Sequence, residues 1–269
     1  MKSFKDSNGD GVGDLKGVES KLDYLSHLGV GSIYLSPVFK SPDKDNGFDV
    51  SDYKAIDPRY GTLEDFKALL AAIHEKGMKL IIDFIPNQTS DQHEWFQKSI
   101  ANEEPYNDYY VWVSFSIFRW HQTVIGSNYF CTHQPFLQAD GKGGGAPSNW
   151  KTILDETKSA WTKNSQRGQY YLHQFSAEQP DLNLRNPKVV EELEGVLKFW
   201  VGLGVDGFRV DSVGNFFEDA DLGNNDDLKT MKNTFNLPGD EVLELLKKFR
   251  TILDDETKKD EDNPRYMIA

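Results

Sequence analysis

The sequence is short of the residues that would tie it to a disulfide scaffold, a membrane or a nucleic acid. One cysteine, Cys131, stands among 269 residues. No intrachain disulfide can therefore form, and the redox compartment stays open. No run of about 18 apolar residues occurs, so the chain contains no membrane-spanning helix. Met1-Lys2-Ser3-Phe4 leads straight into a polar loop without a visible signal peptide. Either the protein is cytosolic or its targeting segment lies outside this chain. Basic residues are outnumbered, with 30 Lys and Arg against 43 Asp and Glu and a net charge of −13. That balance argues against nucleic acid or an acidic membrane as partner and suits a neutral or cationic ligand.

What is present is enough for one large core, or one core with an inserted subdomain: 38% of the residues are apolar. In the first loop, Asp6, Asn8, Asp10, Val12 and Asp14 fall at every second position, with glycines between. Oxygen side chains at that spacing, with the Val12 carbonyl, suit a hard cation such as Ca²⁺. The twelfth position is Gly17 rather than a bidentate Glu, so the loop is not an EF-hand. The alternative is a solvated loop of Asx-turns that caps the following helix.

Helical and strand patterns then alternate. A helix is expected over 15–28, with Leu15, Val18, Leu22, Leu25 and Leu28 on one face and Gly29 at its end. A buried strand follows over 32–36. The next helix, over 63–76, carries a Thr62/Asp65 cap. Lys79 to Ile85 is too continuously apolar for one-sided burial, as in a parallel strand covered on both faces. From 86 to 169 the pattern becomes irregular and aromatic, with Trp95, Tyr109, Tyr110, Trp112, Trp120, Tyr129, Trp150 and Trp161. A structureless loop of that length is implausible in a compact domain, so an inserted subdomain with its own small core is expected there. Alternation resumes with Asn186 and Pro187 opening a helix. It continues through a strand over 205–211, an acidic loop over 219–227, a helix over 241–253, a mobile charged segment over 254–262 and a strand from 265. The order predicts a parallel α/β fold.

Arg209 and Asp211 are two residues apart on a strand and so project to one face. A guanidinium beside a carboxylate favours the anion, which is what a carboxylate nucleophile requires. Alone, the pair reads as a structural ion pair at a strand end. Asp83 and Asn87 share its address at the carboxyl end of a strand, where barrels of this class carry their chemistry.

The stretches Asp83-Phe-Ile-Pro-Asn87, Gln179-Pro-Asp-Leu-Asn183, Gly207-Phe-Arg209-Val-Asp211, Ser3 to Asp10 and Tyr170 to Phe175 resemble the α-amylase family of glycoside hydrolases (family 13). Within it they are most similar to the maltase, α-glucosidase and oligo-1,6-glucosidase branch. The amylase-like heavy subunits of amino-acid transporters are similar too. The resemblance implies a (β/α)8 TIM barrel with an inserted subdomain after the third strand, of which this chain supplies about half, without the first strand. It divides the chain into residues 1–87, barrel; 88–169, insert; and 170–269, barrel continued towards the fifth strand. It implies that Asp211 is the nucleophile of a retaining glycosidase, oriented by Arg209. It implies that Asp49, Tyr53, Asn87, Gln88 and Phe175 line the sugar site, and that Asp6, Asn8, Asp10, Val12 and Asp14 hold structural Ca²⁺. The substrate implied is maltose or a short α-glucooligosaccharide, and the compartment extracellular or membrane-associated. Ser212 beside the nucleophile resembles the α-1,4-specific members. Gln88 departs from the family's usual His, and the family's general acid Glu lies just past the fifth strand, beyond Ala269. The alternative function is a non-catalytic transporter heavy subunit; a sugar-binding pseudoenzyme is a third possibility.

Overall fold

The computed structural model describes residues 1–114, 145–220, 222, 240–259, 261 and 263–269. Cys131, Trp120, Tyr129 and most of the acidic loop lie outside the described residues.

The expected first helix is two short ones, α1 (Leu15–Glu19) and α2 (Leu22–His27). α1 is pinned at its base: a Cβ on Gly17 would lie 1.9 Å from the Lys5 carbonyl oxygen, so only glycine lets the first loop and the helix meet. The apolar stripe also stops early, because Leu25 is half-buried and Leu28 is 62% exposed. Next come β1 (Ser32–Leu35) and an antiparallel pair, β2 (Phe39–Lys40) and β3 (Asp52–Ile56). β1 is buried on one face only, with Ile33 and Leu35 inward and Ser32 and Tyr34 exposed.

α3 (Leu63–Glu75) starts on the expected capping box. Thr62 Oγ1 accepts from the Asp65 amide at 3.1 Å, and Asp65 Oδ2 accepts from the Thr62 amide at 2.9 Å. β4 (Lys79–Phe84) and α4 (Glu94–Ile100) follow, then β5 (Trp112–Val113), β6 (Trp161–Lys163) and β7 (Tyr170–Leu172). α5 (Pro187–Gly202) has Asn186 as cap and Pro187 in its first turn. β8 (Gly207–Val210), α6 (Asp240–Lys259) and β9 (Tyr266–Ile268) complete the order. Residues 254–259 of the expected mobile segment extend α6 instead; residues 260 and 262 lie outside the described residues. Arg250 pairs with Asp254, Lys258 with Asp255 and Lys259 with Glu256, at the spacings where helical side chains meet.

β1, β4, β8 and β9 form a wholly parallel sheet in that order. One face is packed beneath the helices. Phe84 meets Phe208 and, from α6, Phe249, while Trp200 of α5 meets Phe39 and Phe66. The opposite face carries the exposed Tyr34, Tyr266 and Ile268. A separate antiparallel sheet runs β5-β7-β6, so a division between residues 169 and 170 passes between two of its paired strands. The aromatics of this region separate. Trp150 and Trp161 sit in a small cluster with Val111, Ala160, Leu172 and Leu222, whereas Tyr109 and Tyr110 belong to the main core.

At the amino ends of the parallel strands lies Asp206, fully buried. Its Oδ2 meets His74 Nε2 at 2.7 Å and accepts from the Leu80 amide at 2.8 Å. Lys79 Nζ is 3.3 Å and Arg265 Nη1 3.7 Å from Oδ1. Its backbone joins both neighbouring strands, the amide donating to Leu80 O and the carbonyl accepting from Tyr266 N. Asp206→Ala would strip the partly buried His74, Lys79 and Arg265 and the Leu80 amide of their common partner. We expect a loss of about 3 kcal/mol in urea unfolding; a loss under about 1 kcal/mol would show that the cluster does not hold the strands. Gly207 serves the same joint sterically, because an added Cβ would lie 2.7 Å from Tyr266 O and 2.8 Å from Tyr266 Cβ. Gly207→Ala is expected to cost about 1–3 kcal/mol by wedging β9 away, read as faster amide exchange at residues 266–268.

Two buried histidines set a pH dependence. Burial pushes His93 and His173 down to about 4, below the ordinary imidazole value of 6.5. The unfolded chain takes up these protons from pH 6.5 downward and the folded chain only near 4. Their contribution to stability is thus complete above 6.5 and falls as the pH drops towards 4, whereas the buried Asp181 carboxyl, raised to about 8, acts in the opposite sense. The histidine contribution is read from the urea midpoint as a function of pH. His93→Asn, which keeps a side-chain acceptor for the Trp95 amide, should flatten its slope; an unchanged slope would remove His93 from the account.

Candidate active site

The carboxyl ends of β1, β4 and β8 bring four polar side chains together on the open face of the sheet. Asp83 and Arg209 are register partners on adjacent parallel strands, and Asp211 follows Arg209 by two residues. Arg209 Nη1 donates to Asp83 Oδ1 at 2.9 Å and to Asp211 Oδ1 at 2.7 Å. The Tyr34 hydroxyl donates to Asp83 Oδ2 at 2.6 Å. Of these three ion-paired side chains Arg209 is the most open, 38% exposed, against 0% for Asp83 and 12% for Asp211. Burial raises the Asp83 carboxyl above its ordinary value, against the hydrogen bonds from Tyr34 and Arg209. The Tyr34 phenol is raised by burial and then by Asp83, and the hydrogen bond to Asp83 followed by the charge of Asp211 raises Arg209. One fixed cation thus serves two carboxylates. The inner one is sealed and the outer one, Asp211, stands at the rim.

The Asp211 amide donates to Phe84 O at 2.8 Å, extending the strand ladder through the functional residue. Ser212 then turns the chain away in the left-handed region, φ 54°, an unusual conformation for a residue with a Cβ. Its hydroxyl donates to Asp211 Oδ2 at 2.8 Å. Each Asp211 oxygen therefore has one protein donor and lone pairs to spare.

Of the other expected site residues, Asp49, Tyr53, Asn87 and Gln88 form a buried wall. Tyr53 is buried, its hydroxyl 2.7 Å from Ile85 O and 2.9 Å from Gln88 O, which fixes the turn leaving β4. Gln88 Nε2 reaches Phe48 O at 3.4 Å, and its buried Oε1 has no protein partner. Asp49 has no exposed surface, and its carboxylate accepts from Ser41 Oγ and the amides of Lys44 and Asp45 at 2.9–3.0 Å. In this arrangement Asp49 closes its own loop. Phe175 is half-buried and belongs to neither apolar cluster. Asn87 is 2% exposed, which leaves no room for a glycan at its Asn-Gln-Thr sequon.

Sequence reasoning gave no role to three residues that bind these parts together. Tyr34 could have been found from alternation, since Ser32 and Tyr34 interrupt Ile33 and Leu35. Asp181 and Gln174 lie within quoted motifs. Asn87 Nδ2 approaches Asp181 Oδ1 at 3.5 Å, and Gln174 Nε2 donates to Asp181 Oδ2 at 2.6 Å and to Asn215 O at 2.9 Å. The Asn215 amide donates to Ser212 O at 2.8 Å. The path runs from the end of β4 to the turn behind Asp211. Burial pushes Asp181 up to about 8, against the N–H groups of Gln174.

In the first loop, Asp6 Oδ1 and Oδ2 accept from the amides of Gly9 and Gly11 at 2.7 and 2.8 Å. Asn8 Oδ1 accepts from Asp10 N, and Asp10 Oδ1 from Val12 N. Asp14 faces the other way: Oδ2 accepts from Ser7 N and Oγ, and Oδ1 caps α1 through Gly17 N at 2.6 Å. Among the described residues no three His, Cys, Asp or Glu side chains converge with metal-ligand spacing. The hard-oxygen character of the set suits Ca²⁺; Asp6 Oδ1 accepts from Asn8 N as well as Gly9 N, whereas Asp6 Oδ2, Asn8 Oδ1 and Asp10 Oδ1 each accept one amide and keep a lone pair. Asn8 and Asp10 are exposed and Asp6 is half-buried, whereas Asp14 is buried.

The chain is similar to known proteins along most of its length. Maltase 1 of Drosophila virilis is 42% identical over 279 aligned residues, covering 100% of this chain and 40% of the maltase. An amino acid transporter heavy chain of Rattus norvegicus is 44% identical over 237 residues, 88% of this chain and 31% of its own length. The crystal structure of Bacillus licheniformis trehalose-6-phosphate hydrolase superposes with a TM-score of 0.80 at 34% identity, covering 94% of this chain and 41% of the hydrolase. This chain thus spans less than half the length of these relatives, and its parallel sheet is part of their (β/α)8 barrel. With the alpha amylase catalytic domain profile matching residues 1–267, the Arg209–Asp211 strand lies in a family context, and the chain belongs to the α-amylase family.

Proposed function

We propose that the chain carries the nucleophile half of a retaining α-glucoside hydrolase acting on maltose or short α-glucooligosaccharides. The observation that carries this reading is Arg209 clamped between Asp83 and Asp211 at the strand ends. Asp211 attacks the anomeric carbon as the glycosidic bond breaks, forming a glycosyl ester, and the departing sugar oxygen takes its proton from a second carboxyl group. Arg209 keeps Asp211 ionised and aimed, and the Ser212 hydroxyl fixes its second oxygen. The three-stranded sheet and its aromatics form the subdomain inserted after the third barrel strand. Phe175 borders the sugar and Asn87 supports the wall. Gln88, the family's His position, supplies hydrogen bonds without charge.

A retaining mechanism needs a second carboxyl group about 5–5.5 Å from the first. In this reading the second group, a general acid, belongs to the stretch that follows the fifth strand in the family, and the present chain alone does not hydrolyse maltose. The loop of Asp6, Asn8, Asp10, Val12 and Asp14 holds structural Ca²⁺, which stiffens the entry to α1. An extracellular or membrane-associated compartment fits relatives named salivary α-glucosidase and transporter heavy chain. The second reading is a non-catalytic heavy subunit. Gln88 favours it, whereas the intact Arg209–Asp211 pair favours the enzyme.

A leaving group that needs no proton separates nucleophile from acid. An α-glucosyl fluoride deactivated against turnover should label Asp211 in the intact chain, as a mass increment absent from Asp211→Asn, while maltose yields no glucose. An adduct on Asp83 would overturn the nucleophile assignment, and glucose release lost in Asp211→Asn would overturn the incomplete-site reading. For the loop, free Ca²⁺ at a hundredfold excess over its Kd should stabilise the fold by about 2.7 kcal/mol, a gain abolished by Asp10→Ala. An identical unfolding curve in Ca²⁺ and in chelator would leave only the Asx-turn loop.

A further inference from the structure

Ser212 holds the second oxygen of Asp211 from a conformation that its neighbours must maintain. Its φ of 54° lies in the left-handed region, where a residue with a Cβ is disfavoured and stays only if its surroundings fix it. The chain then makes one 3₁₀ turn, Val213–Asn215. The Asn215 amide donates to Ser212 O at 2.8 Å, so the last residue of the turn closes on its first. Gln174 bonds this turn from a distant part of the chain.

Gln174 stands two residues past β7 and is 1% exposed. Its carboxamide has one possible orientation. One Nε2 hydrogen goes to Asp181 Oδ2 at 2.6 Å and the other to Asn215 O at 2.9 Å, while Oε1 accepts from Asn215 Nδ2 at 3.0 Å. Flipped, Oε1 would face two acceptors and Nε2 a donor. Asn215 is thus gripped by its carbonyl and by its side chain at once. The backbone of Gln174 is tied as well: its amide donates to Asp181 Oδ1 at 3.2 Å, and its carbonyl accepts from the Ile153 amide at 2.8 Å. Asp181 in turn donates its amide to Leu172 O at 3.0 Å and is bridged to Gln88 just past β4. A frame of buried groups therefore runs from β4 and β7 to the turn that carries Ser212.

A glutamine buried for packing alone needs only partners for its amide, whatever they are. This one directs two of its three side-chain bonds at Asn215. The geometry points to Gln174 as a positioning residue: by holding Asn215 it keeps Ser212 in the left-handed turn, and so keeps the Ser212 hydroxyl 2.8 Å from Asp211 Oδ2. The inference rests on Asp211 being the nucleophile. Arg209 fixes Oδ1. With Oδ2 fixed as well, the carboxylate cannot rotate about its Cβ–Cγ bond, and a nucleophile that must meet one carbon in line gains from that restraint.

Gln174→Met keeps the length of the side chain and removes its hydrogen bonds. Asn215→Ala, at a half-buried position, removes one of them with less disturbance to folding. In both variants the Asn215 amide should exchange with solvent roughly tenfold faster, while the amides of β4 and β8 keep their protection. With the deactivated α-glucosyl fluoride, the maximal rate of labelling at Asp211 should fall roughly tenfold and the half-saturating concentration should not change. Ser212→Ala should slow labelling too. Adding Gln174→Met to it should slow labelling no further, because the two changes break one path. Unchanged exchange at Asn215, protection lost across β4 and β8 in both variants, a raised half-saturating concentration in place of a slower maximal rate, or effects at Gln174 and Ser212 that multiply would each overturn the assignment. An unaltered chain that takes no label at Asp211 refutes the nucleophile instead, and exchange at Asn215 then decides alone whether Gln174 holds the turn.

Discussion

A carboxylate removed from water at the amino ends of the strands is the constraint on which the sheet depends. Asp206 holds His74 of α3, the amide of Leu80 and the cations Lys79 and Arg265 around one side chain with no exposed surface. Burying such a charge is tolerable only where its partners are numerous and fixed. Asp206 immediately precedes β8 and Asp211 immediately follows it, so the anchor and the candidate site lie at opposite ends of that strand. A guanidinium that must reach two carboxylates within 2.7–2.9 Å needs a strand that cannot slide.

At the other end, the same economy of charge recurs in reverse. Below, several cations share one anion. Above, two anions share Arg209. Asp83 is sealed and takes a hydroxyl from Tyr34 as well, so it acts on Asp211 through the guanidinium that both engage. The two carboxylates differ in exposure, 0% for Asp83 and 12% for Asp211.

Much of this was legible in the sequence where a local rule acts alone. The Thr62 capping box, the Asn186-Pro187 helix start and the apolar stripe of α5 are satisfied within a few residues, and the period-two projection of Arg209 and Asp211 needs only one strand. What was not legible depends on distant neighbours. Leu28 fits the stripe by spacing, but no described neighbour covers it. Tyr34 looks like part of a buried strand until the second face of the sheet is found open. Asp49 has the chemistry to bind a hydroxyl, and its loop folds back to use that chemistry itself. The helical continuation of α6 through the charged residues after 253 rests on ion pairs one turn apart, which composition alone reads as solvated chain.

The bridges where the chain leaves β4 and returns to it bear on how this architecture can vary. Asn87 and Asp181 are 94 residues apart in sequence, yet Gln88 and Asp181 are bridged through their backbones, and so are Tyr110 and Leu182. An excursion that starts and finishes at one point exerts no leverage on what lies outside it. Doubling the length of a flexible loop with fixed ends costs only about 0.6 kcal/mol. Segments within the excursion can thus lengthen, shorten or diverge over evolutionary time while β4 and β8 keep their register, so the surface above the strand ends is free to change which molecule it admits without disturbing the residues that would act on it.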